Sequence, residues 1–323
     1  MRPVLVVTNA HDVTADYLLD TFRNQGQPYF RLNTADIPQA VQVELRLGAE
    51  IEARIITARD ELRLADVQSI WWRRPVPPEL PADVPSRFRA YLANEAAAAA
   101  GGILRAYSGL WVNHPDLNNR AEFKPFQLAV AKHVGWQVPR SLISGRPDVV
   151  QHFISESPEA PIIKAIDHGF VEASDGETFS AYTRQLTAED LAAPAAVTRC
   201  PVFLQERVPR FREHRITVVG NAVFSTVIAS RDGRSTAIDW RALKDDELDY
   251  LPADLPDIIR DRCLRTVRTL GLHFGALDVI ERPDGEFVFL EINPNGQWAW
   301  LEMKTGQPIR QSFVDLLCGS APS

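Results

Sequence analysis

The segment Leu290-Glu291-Ile292-Asn293-Pro294-Asn295-Gly296 follows a predicted strand near the end of the 323-residue chain. Side chains alternate along a strand, so Glu291 and Asn293 should point to one face. The turn Pro283-Asp284-Gly285 predicts a hairpin whose first strand carries Asp278. A single carboxylate is more often simply solvated, but three oxygen donors on one face suit magnesium that also holds phosphates, so we expect Asp278, Glu291 and Asn293 to bind metal. The apolar residues of this strand should pack elsewhere: Phe287, Phe289 and Ile292.

Two lysines occupy positions where the phosphates of a nucleotide would need positive charge. Lys164 lies in the apolar strand 162–166, where an ammonium group loses solvation unless an anion pairs with it. A lysine that reaches into solvent from a sheet edge is the structural alternative. Lys124 stands near the front of a helix predicted over 118–134, where an exposed lysine is the default. We expect both lysines to contact phosphates, and Lys164 also to act in catalysis.

The stretch Gln205-Glu206-Arg207-Val208 follows a buried strand and precedes Pro209. Backbone groups left unpaired at such a strand end can bind the edge of an adenine ring. Glu213, near the start of the next strand, is a candidate acceptor for ribose hydroxyls, and Arg215 is a candidate catalytic cation on the phosphates. The alternative is a plain network of ion pairs within this segment: Arg207, Arg210, Arg212, Glu213 and Arg215.

Composition narrows the classes of protein. The formal net charge is -7, which argues against a nucleic-acid binder because neutralising phosphates needs a clustered surplus of lysine and arginine. The first apolar run, 4–8, is too short for a signal peptide, and no stretch approaches the length of a membrane span. Cys200, Cys263 and Cys318 are too far apart to indicate a zinc site. We therefore expect a cytoplasmic protein with free thiols and with neither nucleic-acid nor membrane partners.

The order of predicted elements indicates an α/β region followed by α+β regions. The chain opens with a strand, a polar turn and a helix, and several strands follow before an alanine-rich helix over 87–106. We expect three segments: an N-terminal α/β domain over 1–112, a central one over 113–199, and a C-terminal one over 200–323 that carries the metal site. The stretch 167–178 is rich in glycine and small polar residues, as a lid over a site would be.

Taken in order, these motifs resemble the ATP-grasp superfamily over about two-thirds of the chain. The matching residues are Lys124, Lys164, the stretch 205–208, Glu-His-Arg-Ile-Thr-Val-Val-Gly at 213–220, Asp278 and the stretch 291–296. The resemblance implies an ATP-grasp fold with an N-terminal α/β pre-ATP-grasp domain and ATP held between two α+β subdomains. It also implies Lys124 and Lys164 on phosphates, Glu206 and Val208 on adenine, and two magnesium ions on Asp278, Glu291 and Asn293. Many relatives carry Asp-Ile-Arg where this chain has 213–215, an exchange that keeps the carboxylate.

Four further stretches resemble the ribosomal-peptide macrocyclases that make microviridin-type graspetides. They are Phe30-Arg31-Leu32-Asn33, Trp71-Trp72-Arg73-Arg74-Pro75, Ile238-Asp239-Trp240-Arg241 and Gly296-Gln297-Trp298. Arg73 and Arg74 are candidates to bind a substrate carboxylate, with a structural ion pair as an equal alternative. Arg241 is a candidate catalytic cation beside the γ-phosphate, and Trp298 a candidate wall of the acceptor site.

These residues predict an ATP-dependent ligase that activates an Asp or Glu side chain of a precursor peptide as an acyl phosphate. A Ser or Thr hydroxyl or a Lys amine of the same peptide would then close an ω-ester or ω-amide ring. The expected partner is a precursor peptide with a leader segment, bound near the hairpin 215–229, and we also consider a homodimer. One alternative is a ligase that joins amino acids to a protein tail or to small molecules. A second is a nucleotide-binding regulatory module without turnover.

Overall fold

The structure is a computed structural model that describes residues 1–167, 169–172, 178–180, 182–231 and 245–319. The N-terminal elements are β1 (Val4–Thr8), α1 (Val13–Gln25), β2 (Tyr29–Asn33), β3 (Val41–Leu47), β4 (Ile51–Thr57), β5 (Glu61–Arg63), β6 (Ser69–Trp72), α2 (Ser86–Arg105) and β7 (Leu110–Val112). The central elements are α3 (Pro115–Glu122), α4 (Lys124–Val134), β8 (Ser141–Ser144), α5 (Pro147–Ser155), β9 (Ile162–Lys164), β10 (Phe170–Glu172), β11 (Thr178–Ser180), β12 (Arg184–Gln185) and α6 (Ala188–Ala192). The C-terminal elements are β13 (Val202–Gln205), β14 (Arg212–Val219), β15 (Ala222–Ser230), β16 (Leu248–Ala253), α7 (Asp257–Thr269), β17 (Phe274–Glu281), β18 (Phe287–Asn293), α8 (Ala299–Thr305) and α9 (Ile309–Cys318).

The N-terminal region contains a parallel sheet in the order β2-β1-β6-β7. Every residue of β1 is buried, as expected for a parallel strand covered on both faces. Helix α1 follows β1 because the Asp12 side chain accepts hydrogen bonds from the N–H groups of Thr14 and Ala15, and it ends at Gly26 with φ of 66°. The strands β3, β4 and β5 form a separate antiparallel sheet. The expected α/β character of this region is confirmed.

Two antiparallel sheets follow, in the orders β12-β9-β13-β8 and β16-β15-β14-β17-β18. The first groups β13 with the central strands β8 and β9, although the predicted boundary at residue 200 assigned this strand to the C-terminal segment. That boundary therefore needs correction, because main-chain pairing joins β13 to the central sheet. Strand β14 is paired on both sides, and residues 225–230 of β15 also pair with β16, the strand at this end of the sheet.

The helix predicted over 118–134 is two helices. Phe123 separates them with φ of -70° and ψ of 105°, an extended conformation. Proline fits an α-helix without penalty only in the first turn, because it lacks an N–H group, and Pro125 is the second residue of α4. This break makes Lys124 the first residue of its helix.

Apolar packing joins the N-terminal domain to the C-terminal segment. One core cluster contains Val4 and Trp71 from the parallel sheet, Phe274 from β17, and Trp298 and Phe313 from the chain end. A second cluster packs α4 and α7 against one face of the five-stranded sheet. Among the described residues, no helix is long and apolar enough to cross a bilayer. The opposite face of the five-stranded sheet is where the predicted metal ligands lie.

Candidate nucleotide and metal site

A β-bulge places the predicted metal ligands on one face of the sheet. Asp278 pairs with Glu291, but the next residue of β17, Val279, pairs with Phe289, so Leu290 is an extra residue. In a regular strand Phe289 would share the face of Glu291. The bulge instead turns Phe289 and Ile292 into the core, where they are 0% and 2% exposed. Glu291 and Asn293 are thereby left on the face of Asp278, as predicted.

The donor set fits magnesium. Asp278 and Glu291 lie directly opposite each other on neighbouring strands, and Asn293 pairs with Ala276 two positions further along. These side chains offer two carboxylates and one amide oxygen, the hard donors that magnesium combines with water and phosphate oxygens. Within the described ranges, no group of three or more His, Cys, Asp and Glu side chains is arranged to hold a metal ion. The protein ligands would therefore complete only part of a coordination sphere.

Arg215 is held against the predicted metal ligand Asp278. It lies opposite Asp278 in the register of β14 and β17, and its Nη1 donates to both carboxylate oxygens at 2.8 and 2.9 Å. Both residues are 8% exposed. A β-carbon on Gly296 would lie 2.9 Å from Arg215 Nη2, so the loop after β18 packs against the guanidinium. The catalytic cation and the metal ligands predicted from sequence thus lie together.

The two predicted phosphate-binding lysines are placed at the end of β9 and against the segment that follows it. Lys164 is the last residue of β9, and its Nζ lies 3.5 Å from Gln205 Oε1 and 6.0 Å from the centroid of the Phe203 ring. Lys124 Nζ donates to the carbonyl oxygens of Ile166, at 3.4 Å, and Asp167. Strand β9 lies between β12 and β13, but β12 pairs only with Ile162 and Ile163, and Lys164 itself pairs with Phe203 of β13. Its contact with phosphates therefore stays a prediction.

The stretch after β13 has the features expected of a nucleotide-binding segment. Gln205 is fully buried, and its Nε2 donates to Ser141 Oγ at 3.0 Å. The N–H group of Glu206 donates to the Arg140 carbonyl at 2.9 Å. Within the described ranges, no backbone hydrogen bond uses the Glu206 carbonyl or the Val208 N–H group. Those two groups remain available to an adenine edge, so the adenine assignment stays a prediction.

A cavity of about 320 Å³ opens beside this stretch. Its lining combines the turn before β8, the segment after α5, the stretch after β13 and strand β18: Gln137, Val138, Pro139, Arg140, Pro158, Glu159, Glu206, Arg207, Val208, Pro209, Arg282 and Val288. Three of the predicted nucleotide-binding residues therefore border a cavity. The same cavity reaches the strand that carries Glu291.

Among the described residues, the arginines near Glu213 pair with three different carboxylates. Arg210 Nη1 donates to Glu213 Oε2 at 2.8 Å, with the Glu213 side chain 6% exposed. Arg207 lies 3.9 Å from Glu159, and both are on the surface. Arg212 lies 3.6 Å from Glu281. The ion-pair alternative thus describes Glu213 in this structure, and its contact with ribose stays a prediction.

Two predicted substrate-binding residues are buried. Arg73 is 1% exposed, its Nη2 donates to Gln297 Oε1 at 2.6 Å, and its Nη1 donates to the Asn295 carbonyl. Burial lowers the pKa of Arg73 to about 10, although Asp12 opposes the shift. Trp298 is 0% exposed and stacks on Phe313 with centroids 4.7 Å apart. Arg73 Nε also lies 3.5 Å from Asp12 Oδ2, so the structural ion pair, the equal alternative drawn from the sequence, describes Arg73 in this structure. Trp298 belongs to the core and does not line an open site here.

The remaining predicted residues divide between the surface and the undescribed part of the chain. The side chain of Arg74 is exposed, and its carbonyl accepts a hydrogen bond from Asn9 Nδ2 at 2.8 Å. Arg241, with the whole stretch 238–241, lies outside the described residues. Half of the predicted lid over 167–178 also lies outside them. These three assignments stay predictions.

Sequence reasoning missed two buried carboxamides beside the metal ligands. Gln127 hydrogen-bonds to both main-chain groups of Ile292, and Asn113 Nδ2 donates to the Pro294 carbonyl at 3.0 Å. An asparagine or glutamine among apolar residues carries no motif, so no local signal could have found them.

Comparisons with known proteins agree with this geometry. The family model described as the MvdD pre-ATP grasp domain matches residues 3–119. No curated protein matches the sequence. The structure of the macrocyclase MdnC bound with precursor peptide MdnA, from Microcystis aeruginosa MRC, is similar with 29% identity and a TM-score of 0.85. That match covers 98% of this chain and 100% of MdnC.

Two other solved structures share the fold. A RiPP-associated ATP-grasp ligase from Chryseobacterium gregarium, in complex with ADP and a leader and core peptide, has a TM-score of 0.90 at 24% identity, covering 100% of this chain and 98% of that one. The ATP-grasp ligase PsnB, complexed with a phosphomimetic variant of a minimal precursor, Mg and ADP, has a TM-score of 0.73 at 21% identity, with 99% and 98% covered. The expected ATP-grasp fold is confirmed. This chain has the fold of the ATP-grasp ligases, and it resembles the microviridin-type macrocyclases of ribosomal peptides.

Proposed function

We propose that this chain is a peptide macrocyclase that activates Asp or Glu side chains of a ribosomal precursor peptide as acyl phosphates. The observation that carries this proposal is the meeting of Asp278, Glu291, Asn293 and Arg215 on one sheet face, in a chain similar to MdnC over nearly its whole length. MdnC was solved with its precursor peptide, and the C. gregarium ligase with a leader and a core peptide.

The reaction takes two displacements. An oxygen of the peptide carboxylate attacks the γ-phosphorus of ATP, and ADP leaves. A Ser or Thr hydroxyl or a Lys amine of the same peptide then attacks the acyl carbon, loses its proton and expels inorganic phosphate. The product is an ω-ester or ω-amide ring. Because phosphate is itself the leaving group, the protein needs no covalent nucleophile.

The residues of this chain contribute position and positive charge. Lys164 lies at the end of β9 and Lys124 bonds to the segment that follows it, where both would contact phosphate oxygens. Arg215 Nε is buried and, among the described residues, has no hydrogen-bond partner, so this donor remains available beside the metal face. Bound Mg²⁺ would neutralise charge on the phosphates, held by Asp278, Glu291 and Asn293. We propose two such ions, and the PsnB complex with Mg and ADP supports the metal in general.

We further propose that the chain forms a homodimer through helix α2. The buried residues of α2 are all near its end: Ala100, Ile103 and Leu104. Its first half exposes apolar side chains, with Phe88 46%, Tyr91 62% and Leu92 39% exposed. An antiparallel pair of α2 helices with a two-fold axis at Tyr91 would set Arg87 of one copy against Glu95 of the other. Sedimentation should show a dimer that Tyr91→Asp converts to a monomer, and a monomeric wild type would contradict it.

A reducing cytoplasm is the proposed location. The three cysteines are free, and Cys263 lies on the buried face of α7, where burial raises the pKa of its thiol to about 12 and keeps it unreactive. We propose that the leader segment binds near the hairpin 215–229 and its neighbours, where β16 is the last strand of the sheet.

The test uses the full chain with ATP, Mg²⁺ and a synthetic precursor that contains both acidic and hydroxyl or amine residues. Mass spectrometry should show the loss of one water for each ring formed, with release of ADP and phosphate. A precursor lacking acceptor side chains is the control. Phosphate release with free amino acids and no peptide would favour the amino-acid ligase alternative, and no ATP consumption with any acceptor would favour a regulatory module.

A further inference from the structure

The main chain between the predicted metal ligands is held by a single buried side chain. Gln127 Nε2 donates to the Ile292 carbonyl at 2.8 Å, and the Ile292 N–H group donates back to Gln127 Oε1 at 3.1 Å. The second hydrogen of Nε2 goes to the Ala121 carbonyl at 2.7 Å. Gln127 is 3% exposed, and its amide group is therefore fully satisfied inside the protein.

The carboxamide of Gln127 pairs with main-chain groups at the edge of the sheet. Strand β18 is the last strand of its sheet, so the N–H and C=O groups of Ile292 that point away from β17 have no neighbouring strand to pair with. Buried main-chain groups without partners are costly. The carboxamide of Gln127 carries a donor and an acceptor side by side, and it meets both groups as the next strand would.

The flanking residues are the ones with proposed chemistry. Ile292 lies between Glu291 and Asn293, so fixing its main chain fixes the direction in which both side chains leave the strand. On the other side of Asn293, Asn113 Nδ2 donates to the Pro294 carbonyl at 3.0 Å. Asn293 is thus held between two anchored residues. The bulge at Leu290 makes this anchoring important, because a bulge interrupts the ladder of main-chain bonds beside it.

We propose that Gln127 is a positioning residue for the metal site, which keeps Glu291 and Asn293 at the angle and spacing that a divalent cation requires. The inference rests on the proposed function, because the metal site is part of that proposal. Outer residues that orient metal ligands typically change metal affinity or activity by about 10- to 100-fold when they are removed. We expect a change of that size from Gln127, without direct contact with the metal.

The test compares Gln127→Met with Gln27→Met. Gln27 is a matched control, because it is 8% exposed and its Nε2 also bonds two main-chain carbonyls, of Arg2 and Pro28, but in the N-terminal domain. Calorimetric titration of Mn²⁺ into each ADP-saturated protein measures metal affinity without turnover. Gln127→Met should weaken Mn²⁺ binding by about 10- to 100-fold. ADP affinity without metal, and Mn²⁺ affinity in Gln27→Met, should stay at the wild-type value.

Hydrogen exchange supplies a second readout, since loss of the acceptor should speed exchange at the Ile292 amide. If Gln127→Met does not fold, Gln127→Asn replaces it, because its carboxamide is one methylene too short to reach Ile292. Glu291→Gln is the reference variant for the metal site. If it abolishes Mn²⁺ binding while the folded Gln127 variant keeps wild-type affinity, the role of Gln127 is overturned and the proposed function stands. If Mn²⁺ binding is unchanged in both Glu291→Gln and the Gln127 variant, the metal site itself is overturned.

Discussion

Replacing Arg215 by methionine should destabilise the protein far more than the same change at Arg212 on the same strand. Arg215 and Asp278 are each 8% exposed and are joined at 2.8 Å. Methionine would leave the carboxylate of Asp278 buried without its partner, and breaking a buried pair in this way costs about 3–5 kcal/mol. The Arg212 side chain is 51% exposed and lies 3.6 Å from Glu281. Losing an exposed pair costs under about 1 kcal/mol.

Combining Arg215→Met with Asp278→Leu separates stability from function. Removing both members of the pair avoids burying one charge without the other, so the double variant should recover much of the stability that the single variant loses. It should nevertheless remain inactive, because the metal face has lost a ligand and its cation. Urea denaturation gives the unfolding free energies, and ADP release in the presence of precursor gives the activity.

Two results would refute this reasoning. Equal destabilisation by Arg215→Met and Arg212→Met would mean that Arg215 and Asp278 do not form a buried pair. Wild-type ADP release in the double variant would mean that neither side chain takes part in the reaction. A double variant as unstable as Arg215→Met alone would instead show that the charges matter through contacts beyond this pair.

Three more changes and one pH profile test other parts of the site. Glu291→Gln keeps the size of the side chain but removes its charge, so turnover at saturating Mg²⁺ should vanish while the melting temperature stays; wild-type rates would remove the metal assignment. Lys164→Ala should weaken ADP binding about tenfold or more, measured by calorimetry, since charge-assisted hydrogen bonds are lost; unchanged affinity would contradict its phosphate role. Gly296→Ala has no room for its methyl group and should cost about 1–3 kcal/mol, whereas Gly48→Ala, with nothing within 4 Å, should be neutral. Burial lowers the pKa of His214 below its usual 6.5. At low pH the unfolded chain therefore binds more protons than the folded chain, so the stability of the fold should decrease as the pH drops below 6.5. Melting temperatures measured over a pH series should show this decrease, and His214→Gln should make it smaller.

The parts of the site that local chemistry determines were predictable. The turn Pro283-Asp284-Gly285 indicated a hairpin, and Asp278 does pair with Glu291 across it. Lys164 stood out because a cation within an apolar strand needs a partner, and the structure places it beside Gln205 at the end of β9. In both cases residues close in the sequence carried the whole argument.

The parts that depend on distant packing were not predictable. The sequence left Arg73 equally open to a substrate carboxylate and to a structural ion pair, and its partners, Asp12 at 3.5 Å and Asn295, 222 residues away, come from distant parts of the chain. Trp298 looked like a wall of an open site, yet it lies in the core formed by α9 and the N-terminal domain. Whether a large side chain is buried depends on which element comes to cover it, and no local pattern in the sequence reports that.

The bulge at Leu290 is an intermediate case. The residues that cause it can be read in the sequence, but their role is clear only once the register of the strands is known. Phe289 and Ile292 are three residues apart, and a regular strand would have sent one of them to the solvent side with the metal ligands. Burying both requires one extra residue between them, and the register shift supplies it. The same shift puts Glu291 opposite Asp278, where alternation counted from Phe287 would have turned it into the core. Burial of two apolar side chains therefore determines where the acidic side chain points, so that the stability of the core and the geometry of the metal site depend on one another.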